Sequence, residues 1–297
     1  MTTTTVRVPA KVNLQLAVGP LRDDGYHDLV NVFHAVSLFD EVTAEPAGAL
    51  SVRVEGASVE GVPLDDDNLA VRAARLLAAR TGVEPAVALT IRKAIPVAGG
   101  MAGGSADAAA ALVACARLWG VTADLHDLAA TLGSDVPFAL LGGTAVGTGR
   151  GEVLTPVEAA GRFHWVFALA DGGLSTPAVY AECDRLREAA GVRPGPPEAS
   201  RALMDALAAG DAKALGAALA NDLQEAALSL RPSLAATLAA GRERGALGAL
   251  VSGSGPTCAF LTESADHAAA LAASLAEAGV ARSAVPAHGP VPGATVI

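Results

Sequence analysis

Lysine is nearly absent from this chain: Lys11, Lys93 and Lys213 are the only three among 21 basic residues, the rest being arginine. Where arginine is the general-purpose cation, a lysine marks a place that needs a compact point charge. Positive charge as a whole is short, with a formal net charge of −10. That argues against a nucleic-acid binder, which carries a basic face and a high pI. Any anionic ligand must therefore be handled by local groups. Cysteine is limited to Cys115, Cys183 and Cys258, far apart, odd in number and without a C-x-x-C pair. They read as buried thiols in a reducing compartment rather than as a redox or metal centre. The six histidines include no H-E-x-x-H, so no protein-built metal site is expected. No apolar run approaches the roughly 18 residues of a membrane span, and the start, MTTTTVRVPAK, has no charged head before an apolar stretch. The expectation is a soluble, cytoplasmic protein with neither a nucleic-acid nor a membrane partner.

What is abundant is alanine, within an apolar fraction of 52%, a globular composition. A chain of 297 residues suits two domains, or one large one, with a sizeable core. TVRVPAKVNLQLAV, Thr5 to Val18, alternates in part and predicts a strand, with Pro9 at an edge or bulge. Asn31 to Leu38, Leu50 to Glu55 and Ala86 to Ile95 predict further strands. DDDNLAVRAARLLAARTG predicts a helix capped by Asp67 or Asn68 and stopped by Gly82. Asp124 to Leu132 predicts a short helix, after which Pro137 and paired glycines predict strands and tight turns up to Gly151. The pattern breaks near Thr155 to Gly161, which divides the chain into 1–158 and 159–297. The second part predicts a strand over Phe163 to Ala170, a helix in LSTPAVYAECDRLREAAG and a loop at VRPGPPEAS. Three alanine-rich helices follow, then a strand, glycine turn and strand in ALGALVSGSGPTCAFLT, a helix over Ala265 to Ala278 and a last strand.

The stretch PVAGGMAGGSADAAA, Pro96 to Ala110, stands out. Gly99, Gly100, Gly103 and Gly104 leave a bare backbone whose N–H groups can approach an anion and adopt positive φ cheaply. Ser105 stands where an N-cap belongs, and Ala106 to Trp119 predict a helix, so the loop opens onto the positive end of a helix dipole. The spelling is neither a Walker A loop nor a dinucleotide fingerprint. By itself it is equally a glycine turn before a helix.

Phosphoryl transfer needs a cradle, a neutralising cation and a group to orient or deprotonate the acceptor hydroxyl. Asp135, in LGSDVPF, is placed before a strand among apolar neighbours and suits a general base, or else a turn cap. Lys11, mid-strand, suits a partner that keeps that carboxylate ionised, or else snorkels outward. Ser252 to Pro256 form a second glycine turn, closing over phosphates or simply joining two strands. Tyr26 and Tyr180 suit either a base sandwich or core packing.

In order along nearly the whole chain, PAKVNLQLAV, RDDGYHDL, DNLAVRA, the glycine loop, GSDVPFAL, LSTPAVY, NDLQ (Asn221 to Gln224) and SGSGPTCAF resemble the GHMP kinase superfamily. Within it the pattern is similar to the kinases of a cytidine diphosphate-linked alcohol in the non-mevalonate isoprenoid pathway. The resemblance implies an α+β fold of two domains: an N-terminal ATP-binding domain and a C-terminal ferredoxin-like domain, with the active site in the cleft. It implies transfer from ATP, with Mg2+ carried by the nucleotide, to the C-2 hydroxyl of a cytidine diphosphate methylerythritol, by a monomer or homodimer. Asp135 then corresponds to the base and Lys11 to its catalytic partner. Pro96, Val97, Ala98, Gly99, Gly100, Met101, Ala102, Gly103, Gly104, Ser105 and Ala106 correspond to the ATP loop. Asn68 and Leu69 correspond to the segment beside the adenine, and Lys93 to a nucleotide contact. Tyr26 and His27 correspond to the cytosine site, Tyr180 to the opposing aromatic, and Asn13 and Thr176 to the alcohol pocket. Met101, Ala102 and Ala106 replace a leucine, a glycine and a serine of the usual loop, Ser134 an alanine, and Gln224 an acid. A homoserine- or mevalonate-type kinase and a catalytically silent nucleotide-binding homologue are the alternatives. The DGYH motif with Tyr180 opposes the first, and Lys11 with Asp135 opposes the second.

Overall fold

The computed structural model describes residues 3–56 and 59–297. The chain opens with β1 (Thr4–Leu21) and β2 (His27–Pro46), a long antiparallel pair. Even-numbered apolar residues of β1, from Val6 to Leu14, are fully buried in the main core. Alternation therefore turns Lys11 and Asn13 to the opposite face. Pro9 sits at a register shift, the bulge its missing N–H calls for.

There follow β3 (Ser51–Gly56), α1 (Leu69–Thr81), β4 (Val87–Lys93) and α2 (Gly103–Trp119). Next come α3 (Leu125–Leu132), α4 (Val136–Leu141), β5 (Thr144–Thr148) and β6 (Val153–Pro156). The sheet runs β3-β4-β2-β1, with β5 also paired to β2 and β6 paired to β5. Asn68 caps α1 by accepting from Ala70 N at 2.9 Å. The alanines of α2 from Ala108 to Ala111 are wholly buried; side chains this small let the helix lie close on its neighbours.

Two expectations fail here. α2 starts at Gly103, with Ala102 rather than Ser105 at the capping position and no side-chain cap. Ser105 is its third residue, because the glycines are themselves helical. VPFALL is a helix rather than a strand: a proline in the first turn has no N–H to lose and starts the helix instead of stopping it.

The second half comprises β7 (Phe163–Leu169), α5 (Thr176–Ala189), α6 (Arg201–Ala209), α7 (Ala212–Ala218) and β8 (Ala220–Asn221). It continues with α8 (Gln224–Leu230), α9 (Ser233–Glu243), β9 (Gly248–Val251), β10 (Cys258–Thr262), α10 (Ala265–Glu277), β11 (Ser283–Gly289) and β12 (Thr295–Val296). Between α5 and β9 there are four helices rather than the three expected, α6 and α7 being separated by left-handed Gly210 and the Asp211 cap. The second sheet has the order β11-β7-β10-β9, all antiparallel, with α5 and α10 in the two crossovers, which is the ferredoxin-like arrangement. The halves are interwoven: β8 and β12 both pair with β1 of the first sheet. The segment 192–200, without regular structure, is tied to β1, where Gln15 donates to Glu198 O and accepts from Ser200 N, each at 2.8 Å. All three cysteines are buried and free, and burial pushes the Cys115 and Cys258 thiols up to about 12, so they stay protonated and unreactive. Among the described residues no helix is long and apolar enough to cross a membrane.

Candidate active site

The glycine loop leaves β4 at Lys93 and enters α2 at Gly103, and it forms one wall of a cavity of about 750 Å³ between the two halves. The first bond of α2 runs from Ala106 N to Ala102 O at 2.9 Å. The N–H groups of Gly103, Gly104 and Ser105 therefore lack intrahelical partners, beside a cavity that all three residues line. A Cβ at Gly104 would meet nothing nearer than Leu69 Cδ1 at 3.6 Å, so the glycine leaves room there for a ligand. Gly100, at φ 74°, is required for another reason: a Cβ there would stand 2.1 Å from Ser252 O of the opposite half. Pro96, Ala98, Gly99, Gly100, Ala102 and Leu69 also line the cavity. Val97, Met101, Ala106 and Asn68 do not. Met101 and Ala106 turn into the core, and Asn68 is occupied in capping α1.

Lys93 does not reach the cavity either. Its ammonium lies 2.8 Å from Asp107 Oδ2 and in contact with Asp40, with a side chain only 2% exposed. Burial opposes its charge, but Asp107 and Asp40 together hold its pKa above the ordinary lysine value. The sequence expectation of a nucleotide contact is corrected, since two buried carboxylates have claimed this cation.

Lys11 Nζ donates to Asn13 Oδ1 at 2.7 Å and to Gly100 O at 2.8 Å. An ammonium has three donors, so one remains beside the cavity that Lys11 lines. Asp135, just before α4 and half-buried, lines the same cavity. The two do not form an ion pair, yet they sense each other: burial lowers the Lys11 pKa and the Asp135 charge pulls it back up. Asn13 Nδ2 continues the string to Asn31 Oδ1 at 3.0 Å. The turn between β9 and β10 closes over this group. Ser252 Oγ donates to Gly100 O at 3.1 Å, and a Cβ at Gly253 would stand 3.2 Å from Lys11 Nζ. The NDLQ segment braces that turn: Asn221 Nδ2 donates to the carbonyls of Val251 (2.8 Å) and Gly253 (2.7 Å), while Gln224 Oε1 accepts from Val251 N at 3.0 Å.

At the other end of the cavity, Tyr26, His27 and Tyr180 come together. Tyr180 stacks on His27 with centroids 5.5 Å apart and planes at 26°. Tyr26 is 54% exposed and carries the Arg150 guanidinium 5.3 Å above its ring. Both tyrosines line the cavity. His27 Nδ1 lies 2.9 Å from Gly19 O and Nε2 lies 3.2 Å from Asp184 Oδ2, which fixes the ring against the cavity wall. Burial, reinforced by Asp135, pushes the Tyr180 phenol above its ordinary value, which ties the aromatic end electrostatically to the Lys11 end. Thr176, at the start of α5, shares a 2.9 Å hydrogen bond with Ser254 of the closing turn and also lines the cavity.

Arg150 and Asp184 line the cavity and escaped the sequence reading. Arg150 lies between Gly149 (φ 70°) and Gly151 (φ 108°) at the tip of the β5–β6 hairpin. The TGRGE spelling was the available signal. Asp184 follows Tyr180 by four residues and so shares its face of α5.

Two sequence profiles match: "GHMP kinases N terminal domain" over residues 68–143 and "GHMP kinases C terminal" over residues 203–281. A curated protein of Streptomyces avermitilis, 4-diphosphocytidyl-2-C-methyl-D-erythritol kinase, is 64% identical over 296 residues, 99% of each chain. One of the same name from Thermobifida fusca is 64% identical over 100% of this chain and 99% of its own. A crystal structure of a 4-(cytidine 5'-diphospho)-2C-methyl-D-erythritol kinase superposes with a TM-score of 0.78 at 35% identity, covering 95% of this chain and 98% of that one. Leishmania major mevalonate kinase, in complex with R-mevalonate, has the same fold at a TM-score of 0.77 and 19% identity, over 99% and 98%.

Proposed function

The chain belongs to the GHMP kinase family, among its 4-diphosphocytidyl-2-C-methyl-D-erythritol kinases, and from that footing we infer that it transfers the γ-phosphoryl group of ATP to the C-2 hydroxyl of 4-diphosphocytidyl-2-C-methyl-D-erythritol. This is a step of isoprenoid precursor synthesis. The observation that carries the reading is the order of groups along one cavity: amide-rich loop, then Lys11 with Asp135, then Asn13 and Asn31, then Arg150, then the aromatic pair.

ATP fits the loop end. Gly103, Gly104 and Ser105 offer unpaired N–H groups at the positive end of α2, and Leu69 offers an apolar contact for the base. Mg2+, if carried in by the nucleotide, would supply positive charge against the transferring phosphoryl. The Ser105 hydroxyl and the Asp135 carboxylate are hard oxygen donors within the same cavity, of the kind that ion accepts. Asp135 takes the proton of the acceptor hydroxyl, and Lys11 orients that hydroxyl while offsetting negative charge. Asn13 faces the sugar alcohol, with Thr176 beside the same pocket. Tyr26 and Tyr180 flank the cytosine, each stack being worth about 1 to 3 kcal/mol, and His27 stands at its edge.

Arg150 takes the substrate's diphosphate. Its hairpin touches Tyr26 on one side. On the other, a Cβ at Gly151 would stand 3.3 Å from Asn31 Nδ2, the end of the Lys11–Asn13–Asn31 string. A guanidinium between the base end and the alcohol end is where a diphosphate linker would lie, and its fork suits two phosphate oxygens. Arg150→Met should therefore weaken competitive inhibition by CDP by about tenfold while leaving inhibition by cytidine unchanged, about the share of one charge-assisted contact. Equal loss for both inhibitors would remove this assignment.

The whole reading is tested by ADP release with the cytidine diphosphate alcohol, mevalonate and homoserine side by side. Turnover of the first alone is expected, and turnover of either of the others in its place would refute the acceptor.

A further inference from the structure

The glycine loop between β4 and α2 holds two alanines, Ala98 and Ala102, at φ 51° and 60°. Residues with a Cβ rarely adopt such a backbone, so the surroundings have to impose it. At the loop's far side the imposing groups are Lys11 Nζ and Ser252 Oγ, which both donate to Gly100 O. At its base they are three buried charges. Asp40, on β2, accepts from the N–H groups of Ala94 (2.6 Å) and Ile95 (2.8 Å), the first two residues after β4. The same carboxylate contacts the Lys93 ammonium through its other oxygen. Lys93 reaches across to Asp107 Oδ2 at 2.8 Å, one turn into α2, and a Cβ at Gly103 would stand 3.1 Å from its Nζ. None of the three side chains is more than 5% exposed, and none lines the cavity.

We propose that Asp40, Lys93 and Asp107 are positioning residues for ATP: they clamp the end of β4 to the start of α2, so that the loop amides stand aligned before the polyphosphate arrives. The proposal rests on reading the loop as the ATP cradle. A polyphosphate gripped by backbone amides depends on where those amides point, and organising them in advance removes an ordering cost from binding. Asp107 Oδ1 has no hydrogen-bond partner, and burial raises that carboxyl to about 8 although Lys93 opposes the shift. Two carboxylates thus share one ammonium, and an amide oxygen at position 107 would still accept from it. Asparagine is then a close stand-in for Asp107, whereas alanine opens the clamp at its α2 end and leaves the Lys93–Asp40 pair in place.

The test is calorimetric titration of the wild type, Asp107→Ala and Asp107→Asn with a non-hydrolysable ATP analogue, alongside the KM for the cytidine diphosphate alcohol. Asp107→Ala is expected to raise the analogue's Kd about tenfold, Asp107→Asn to return it to within about threefold of the wild type, and the alcohol's KM to move less than about twofold. A clamp with only a structural role would weaken both ligands alike or lower thermal stability alone, and either result overturns the proposal. Lys93→Arg keeps the charge but cannot seat a planar fork in the same gap. It must show the same ATP-selective loss, which decides the matter if the alanine variant does not fold. A wild type that binds no analogue would overturn the loop reading together with the clamp; analogue binding that Asp107→Ala leaves unchanged would overturn the clamp alone.

Discussion

Asp135→Asn is expected to lower kcat by about 10² to 10⁴, the usual contribution of a positioned general base, while both ligands still bind. Asparagine fills the volume of aspartate, so the start of α4 and the cavity wall keep their shape. What is lost is the negative charge and the site that accepts the hydroxyl proton. The Asp135 charge also partly offsets the lowering of the Lys11 pKa by burial. Lys11 acts as an ammonium, so activity falls as pH rises through its pKa. Removing Asp135 lowers that pKa further, and the residual activity should fall off at a lower pH than in the wild type. Single-turnover rates across pH, with calorimetric binding of both ligands, check the two parts together. Normal turnover with both ligands bound would mean that another group takes the proton.

The sequence spoke clearly where a local rule and a motif agreed, and misled where a residue's partner lay far along the chain. The Asn68 cap, the Gly82 stop and the pairing of Lys11 with Asn13 on one face of β1 all follow from spacing. Asp135, expected before a strand, stands instead before a helix, because Pro137 begins a helix as readily as it ends one. Lys93 was singled out for its rarity and its place before the loop. Its partners Asp40 and Asp107 lie 53 and 14 residues away, and no periodicity announces such an encounter. Arg150 stood in the TGRGE spelling, but what it would meet was not legible there: only the β5–β6 hairpin brings it over Tyr26. Nor does any rule of spacing predict that the closing turn, Ser252 to Pro256, would come so close that a Cβ added at Gly100 would stand 2.1 Å from Ser252 O. Contact between the halves is decided by tertiary packing, and it makes the loop's conformation a property of both.

Lys11→Met should lower catalysis on a scale comparable with Asp135→Asn, without lowering stability. The ammonium supplies a donor where charge develops, and losing one such donor from a preorganised site lowers kcat by about 10² to 10³. It also holds Gly100 O, so the KM for ATP should rise as well. Stability moves the other way. A buried lysine whose folded pKa lies below the ordinary lysine value is a burden while it is charged, and methionine removes that burden while keeping most of the stem. Between the folded and unfolded pKa values the unfolded chain binds more protons, so the wild type should gain stability relative to Lys11→Met as pH rises through that window. Arginine is no substitute: a planar fork on a longer stem cannot reproduce the two bonds that the compact ammonium makes to Asn13 Oδ1 and Gly100 O, and Lys11→Arg should be as inactive as the methionine variant. Thermal melts against pH beside steady-state kinetics read both effects. A methionine variant that melts lower than the wild type at neutral pH, yet turns over at a similar rate, would make Lys11 a structural cation and move the chemistry elsewhere in the cavity.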